Sequence, residues 1–268
     1  MQLFEVSRPN GFKDYLSCLG VLTEDVTLEM SYDGVKAVIM DPSHVAMVEM
    51  LLPRGFFDYY NVGELEKVSF NIPDMLKALG KITKDDMLRV EYNYVLKTNE
   101  TKNDEGVVIA TSQYKDEEKL VLNLISDIAR KKVLPCLQSL DEEVPQPRIY
   151  FKSKTRIIAP AFKRIVNDLD GEHIAISTDY ESITFSHEGD RYNETTTLDK
   201  DNDNILDHRV EEPTRTTYTK SYLEDILKAV VKVSEVITLE FSEDMPVKLD
   251  VEIPQGRLVY YVAPCIGV

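Results

Sequence analysis

The stretch Phe12 to Leu19 reads FKDYLSCL, with Phe12, Tyr15, Leu16 and Leu19 apolar at positions 0, 3, 4 and 7. That spacing lays one apolar stripe along an amphipathic helix. The same stripe recurs as Ile72, Met75, Leu76 and Leu79, then as Phe162, Ile165, Val166 and Leu169, and again as Leu223, Ile226, Leu227 and Val230. The first and third copies both begin Phe-Lys and lie 150 residues apart. The second and fourth share Asp-x-Leu-Lys-Ala (Asp74 to Ala78, Asp225 to Ala229) and lie 151 apart. Two pairs at nearly one offset predict a unit of about half the chain, used twice.

Between the helices the pattern changes to short β-rich runs. Gln2 to Val6, Val26 to Met30, Val35 to Met40 and Val45 to Leu52 read as strands, with Asp33-Gly34 as a hairpin turn. Val68 to Phe70 leads into the second helix, with Asn71 as its N-cap. Met87 to Val95 and Gly106 to Ser112 flank a polar turn at Lys97 to Glu105, and Lys119 to Ile125 is a further strand. The second half replays this order from Ile149 to Ile158, with Pro160 in the first turn of the third helix. Asp199 to Glu212 reads as an acidic loop. The expected class is α+β, with two helices per half packed on mostly antiparallel sheets. The expected domains are 1–125 and 148–268. Residues 126–147, ending in the acidic, Pro-rich DEEVPQP, are read as a linker over the surface.

The 268 residues carry 31 Lys plus Arg against 47 Asp plus Glu, a formal charge of −16. Taken naively, that balance argues against nucleic acid, since phosphate contacts need cations. The distribution reverses the reading. The helical segments 8–20, 71–84, 159–169 and 219–232 hold ten basic and five acidic residues, and the rest of the chain holds 21 and 42. Lys77, Lys81 and Lys84 fall opposite the apolar stripe on a helical wheel, as do Lys228 and Lys232. Lys13 on the first helix and Lys163 and Arg164 on the third extend the set. An ordinary solvated face is the plain alternative for any one helix; repetition on related helices points to a cationic surface for a phosphate backbone, with no base readout.

Other chemistry finds little support. Cys18, Cys136 and Cys265 are widely spaced, which fits a reducing, intracellular setting rather than a disulfide framework. No signal-peptide core or membrane-length apolar run is present. The four histidines have no metal spacing, and no phosphate loop, nucleophile elbow or zincin motif occurs. Asp199-x-Asp201-x-Asp203 starts like a calcium loop but has Asn204 and Val210 where Gly and Glu are needed. The chain is therefore read as no enzyme, with no metal and no cofactor. Two joined antiparallel units leave an edge strand at each outer end, and head-to-tail pairing of such edges can close a ring. Lys119 to Leu124 and Arg191 to Leu198 are the candidate edges.

DGVKAVIMDPSHVAMVEMLLP (Asp33 to Pro53), FSEDMPVKLDVEI (Phe241 to Ile253) and GRLVYYVAPCI (Gly256 to Ile266) resemble the DNA sliding clamps of the proliferating cell nuclear antigen (PCNA) family, in order and across essentially the whole chain. The resemblance implies a two-domain subunit, three of which close into a ring with helices around the hole and sheets outside. A ring holds duplex DNA topologically, without sequence specificity, which reconciles the acidic total with the basic helices. It implies a processivity factor for DNA polymerase. It also implies docking of polymerase, clamp loader, flap nuclease and DNA ligase through short peptide motifs, and no membrane. The pocket residues it carries over are Met40, His44, Val45, Val144, Pro145, Pro246, Ala263, Pro264 and Ile266. Localisation follows as nucleoid or cytoplasm in an archaeon and nucleus in a eukaryote. Self-assembly and assembly with paralogues both stay open. The alternative function is an acidic protein-binding scaffold, a diverged clamp subunit that does not itself encircle DNA. One asymmetry is specific: Lys77 and Lys228 hold a frame position that is Ser17 and Asn167 in the other two helices. The second and fourth helices are thus expected to meet DNA more strongly.

Overall fold

The computed structural model describes residues 1–268 except 84, 103–107, 139–143, 145–148, 190–191 and 267–268. The first half runs β1 (Gln2–Val6), α1 (Pro9–Leu19), β2 (Asp25–Ser31), β3 (Gly34–Met40), β4 (Ala46–Pro53), β5 (Tyr59–Tyr60), β6 (Glu66–Asn71), α2 (Ile72–Leu79), β7 (Met87–Lys102), β8 (Val108–Ile125) and β9 (Arg130–Pro135). The second half runs β10 (Ser153–Ile158), α3 (Ala159–Asp168), β11 (His173–Thr178), β12 (Ser182–Glu188), β13 (Asn193–Asp199), β14 (Ile205–Val210) and β15 (Thr214–Thr219). It ends with α4 (Lys220–Val230), β16 (Val236–Phe241), β17 (Val247–Val251) and β18 (Arg257–Val262).

Strand order makes the duplication explicit. The first half contributes the series β5-β1-β7-β8-β9 and β4-β3-β2-β6. The second contributes their counterparts, β14-β10-β16-β17-β18 and β13-β12-β11-β15. The halves fuse where β18 pairs antiparallel with β4, from Arg257 opposite Leu51 to Val262 opposite Ala46, making one nine-stranded sheet.

The helical stripes supply the inner layer of the core. All of their residues are buried except Leu76, which is half-buried. Burying each large apolar side chain contributes roughly 1.5–3 kcal/mol, so fifteen such positions on four short helices outweigh any weakness in helix propensity. Asn71 caps α2 as expected, its side chain accepting the Asp74 N–H at 3.1 Å. Gly80 ends α2 with φ +60, a conformation that suits glycine and stops the helix.

Several expectations need correction. Because α2 stops at Leu79 and α4 at Val230, Lys81 and Lys232 lie past the helices instead of on their wheels. Lys97 to Lys102 is strand, not turn: β7 and β8 pair as one long hairpin from Met87↔Ile125 to Lys102↔Val108. Lys119 to Leu124 is no edge, since β8 is flanked there by both β7 and β9. The segment read as linker begins with a strand: β9 pairs with β8, and Leu137 then bridges to Ser69 of β6. The supposed acidic loop contains β14, which pairs with β10, and the Thr-rich β15 follows it and pairs with β11. The other candidate edge is observed over Asn193 to Leu198, as β13 with β12 as its sole sheet neighbour among the described residues; Arg191 lies outside them.

Candidate functional site

The four helices form one continuous layer, with α2 against α1, α1 against α4 and α4 against α3. Their apolar stripes face the sheets, so the opposite faces share one surface. Lys77, Lys81, Arg164, Lys228 and Lys232 are exposed on it and Lys163 is half-exposed. Among the described residues, no carboxylate lies within ion-pair distance of any of these six. Lys13 behaves differently. Its ammonium donates to the Gly80 carbonyl at 2.5 Å, closing the C-terminus of α2. Lys220 does the same in the second half, donating to the Leu169 carbonyl at the end of α3. These two lysines hold helix pairs together; the others project. Lys84 lies outside the described residues.

Two groups on this face were not legible from the helical wheels. Asp14 sits at the α1–α4 seam, where burial pushes its pKa up and the neighbouring Lys232 and Lys13 charges oppose that rise. Lys132 is exposed on β9, on the face shared with buried Leu134, and α2 packs on that strand. Its neighbour in register, Arg130, donates to the Lys81 carbonyl and to Asp86, both at 2.9 Å. The Arg130-Lys131-Lys132 run was the available signal, but only strand alternation assigns Lys132 to the helix side.

A second surface forms where the chain's end crosses the joint. Ala263 N–H donates to the Val45 carbonyl and Cys265 N–H to the Thr217 carbonyl, each at 2.8 Å. Pro264 bridges to Tyr218 of β15. The tail is thus held between the 41–45 loop of one half and β15 of the other. Tyr218 donates its hydroxyl to the Met245 carbonyl at 3.0 Å, and the β17–β18 register, continued by one residue, sets Pro246 opposite Ala263. The structure therefore brings together Met40, His44, Val45, Pro246, Ala263, Pro264 and the highly exposed Ile266. Val144 is half-buried and is not joined to them by these contacts; Pro145 lies outside the described residues.

Asp41 shapes this surface. Its carboxylate accepts the N–H groups of Ser43 at 3.0 Å, Val45 at 2.7 Å and Ala46 at 2.5 Å, and the Tyr222 hydroxyl of α4 at 2.8 Å. Burial alone would raise the Asp41 pKa; these hydrogen bonds outweigh it and hold the carboxyl below its usual range. His44 takes φ +57 in the loop so formed, and its Nδ1 lies 2.9 Å from the Met40 sulfur.

Among the described residues no group of three or more His, Cys, Asp and Glu side chains could hold a metal ion, and no helix is long and apolar enough to cross a membrane. Residues 4–127 match the family model described as proliferating cell nuclear antigen, N-terminal domain, and residues 146–266 match its C-terminal domain. The chain belongs to the PCNA family. A protein of Methanococcus maripaludis named DNA polymerase sliding clamp is 26% identical over 261 residues, covering 95% of both chains. DNA polymerase sliding clamp 1 of Pyrobaculum aerophilum is 23% identical over 256 residues, covering 94% of each. The PCNA structure of Thermococcus kodakaraensis superposes with a TM-score of 0.84 at 22% identity, covering 99% of this chain and 100% of that one. A PCNA chain from the PCNA2–PCNA3 complex of Sulfolobus tokodaii gives 0.80 at 24%, covering 98% and 99%. Both structural likenesses extend over the two halves, so the PCNA fold includes the β18–β4 joint described above.

Proposed function

We propose that the chain is a subunit of a DNA sliding clamp, a closed ring that encircles duplex DNA and keeps a polymerase on its template. The observation that carries this reading is the joint between the halves. Inside the chain, β18 of one unit pairs with β4 of the other. The counterparts of those two strands are β9 and β13, and among the described residues each lies at the end of its sheet with no outer neighbour. A second copy that sets its β13 against β9 repeats the internal joint. Each repetition turns the chain by the same angle, and identical joints close a ring when that angle divides a full turn; a ring of three copies has six units.

Backbone geometry supports the pairing. Cys136 N–H donates to the Glu118 carbonyl at 2.9 Å, and antiparallel alternation from that bond turns the N–H groups of Lys131 and Val133 outward. Lys200 N–H donates to the Glu181 carbonyl at 2.7 Å, which by the same rule turns Thr195 and Thr197 outward on β13. Such a ring lines its hole with the helix layer. Lys77, Lys81, Lys163, Arg164, Lys228, Lys232 and Lys132 then face the phosphates, and the acidic remainder faces out. The surface built on Asp41, Val45, Ala263 and Ile266 takes the short peptide motifs of replication and repair proteins. The ring works inside the cell, where the DNA is. Copies of one chain, or paralogues, complete it.

The test is retention on a nicked circle. Clamp loaded by its loader should stay through a high-salt wash and leave when the DNA is linearised. Equal retention on linear DNA with free ends would overturn encirclement.

A further inference from the structure

The repeat sets the register of a joint between copies, residue by residue. Leu137 N–H donates to the Ser69 carbonyl and Cys265 N–H to the Thr217 carbonyl, both at 2.8 Å. Ser69 and Thr217 each lie three residues before their helix, α2 or α4. Leu137 therefore stands where Cys265 does, and Lys132 of β9 where Tyr260 of β18 does. In the other sheets, Val26 and Ile174 pair with Phe70 and Tyr218, two residues before the same helices. From there Met30, Val35 and Leu52 lie side by side, as do Thr178, Ile183 and Leu198. Leu198 thus stands where Leu52 does, and Glu194 of β13 where Val48 of β4 does. Tyr260 is opposite Val48 at the internal joint. Repeating that joint sets Lys132 opposite Glu194 of the next copy, Lys131 opposite Thr195 and Val133 opposite Asn193.

Backbone polarity agrees independently. A hydrogen-bonded antiparallel pair needs the N–H groups of both residues turned toward the partner strand. Lys131 and Val133 turn theirs outward on β9, and alternation from the Lys200 bond turns those of Thr195 and Asn193 outward on β13. The register taken from the repeat therefore sets outward group against outward group; a shift of one residue would set each against an inward one. Lys132 and Glu194 become a non-hydrogen-bonded pair, the kind whose side chains come closest. Both lie on the helix side of their strands, Lys132 on the face of buried Leu134 and Glu194 on the face of buried Leu198. Glu194 is half-buried, and its Oε2 accepts the Asp170 N–H at 2.6 Å, which holds the carboxylate in place.

Charge makes the two strands complementary. β9 carries Arg130, Lys131 and Lys132, whereas β13 carries Glu194 and Asp199 and no cation. Two β9 strands facing each other would set cation against cation, which is destabilising. We propose that the neighbour fitted to β9 is a second copy of this same chain, and that Lys132 pairs with that copy's Glu194 on the hole side of the joint. The proposal rests on the edge pairing put forward above and adds its register and the identity of the partner. Glu194 of the next copy then holds Lys132 at the seam, beside the lysines of the helix layer.

The experiment follows full-length chains, with no paralogue added, by single-molecule mass measurement across a dilution series. The native chain should assemble into trimers that dissociate on dilution. Lys132→Glu and Glu194→Lys should each raise the concentration of half-dissociation at least tenfold at low salt and by less at high salt. The two substitutions together should recover most of that loss. As a second readout, Lys132→Cys with Glu194→Cys should give oxidised covalent trimers on a denaturing gel, because a non-hydrogen-bonded pair has Cα atoms about 4.5 Å apart, within disulfide reach. Lys132→Cys with Thr196→Cys should not, nor should any of the single substitutions. A native trimer that neither charge variant weakens, whose loss the double substitution does not recover, or that cross-links through Thr196→Cys in place of Glu194→Cys overturns the register and the ion pair and leaves the ring reading standing. A native chain that stays single at every concentration overturns self-pairing, and retention on the nicked circle with paralogues then decides the ring separately. Val133→Pro removes an outward N–H of β9; a trimer that it leaves unchanged overturns the edge pairing and this proposal together.

Discussion

Asp41 and Asp86 are the two carboxylates that individual positions of this chain depend on most, and they act alike. Asp41 gathers three backbone N–H groups of its loop, and Asp86 takes the Thr83 N–H together with side-chain donors. Asp41→Ala strands the N–H groups of Ser43, Val45 and Ala46, at roughly 1–3 kcal/mol for each buried donor left unmet. The 41–45 loop should loosen. Affinity for a labelled peptide from a polymerase's clamp-binding tail should fall at least tenfold by fluorescence anisotropy, while the mass of the assembled protein holds. Tyr222→Phe removes only one bond to the same carboxylate and should cost about 1 kcal/mol. Asp86 accepts the Thr83 N–H at 2.7 Å and pairs with Arg130. The Thr83 N–H above all, with Arg130 adding to it, holds its pKa down at about 2. Its unfolded value is about 3.9, so the folded state is favoured above that pH and loses the contribution as pH falls toward 2. Thermal melts should show a drop in Tm between pH 4 and 2 that Asp86→Asn flattens; an unchanged slope would remove Asp86 from that account. Neither aspartate stands out in the sequence, because the partners of each are turn N–H groups or side chains as far away as Tyr222, 181 residues on.

The helices were the most legible elements. Their stripes are local, period-3.6 patterns, and the residues they named are the buried ones. Leu16→Ala should cost about 2–5 kcal/mol in denaturant unfolding, as a fully buried leucine does. Helix ends were less legible. The wheel runs α2 through Lys84 because lysine suits a helix, but Gly80 in the left-handed region stops it. Gly80→Ala should destabilise by about 1–2 kcal/mol for the same reason. The charge on the outer face divides by role. Lys13 is used on the Gly80 carbonyl, whereas Lys77 and Lys228 are exposed. Lys77→Glu with Lys228→Glu should slow loading onto nicked circles several-fold and flatten its salt dependence, with peptide affinity unchanged. If peptide affinity fell equally, the two surfaces would not be separate. Strands β14 and β15 and the outer part of β7 were missed for a common cause: they are polar on both faces or nearly so, and alternation has nothing to mark.

At the scale of the molecule, the net charge of −16 is a poor guide and its arrangement a good one. Lysines brought from four separated segments share a single surface because the helices pack side by side, α2 on α1, α1 on α4 and α4 on α3. The repeat, the class of each helix and the segregation of charge all follow from spacing along the chain, since apolar periodicity and residue offset are local quantities. The joint does not. Which strands pair across the halves, which are left at the edges, and where the chain's end meets the 41–45 loop depend on hydrogen bonds between residues as far apart as Val45 and Ala263. An antiparallel partner is chosen by register and by what the rest of the core leaves uncovered. For that reason Lys119 to Leu124 reads as an edge in the sequence although β9 covers it, and the free strands that would close a ring emerge only once the sheets are assembled.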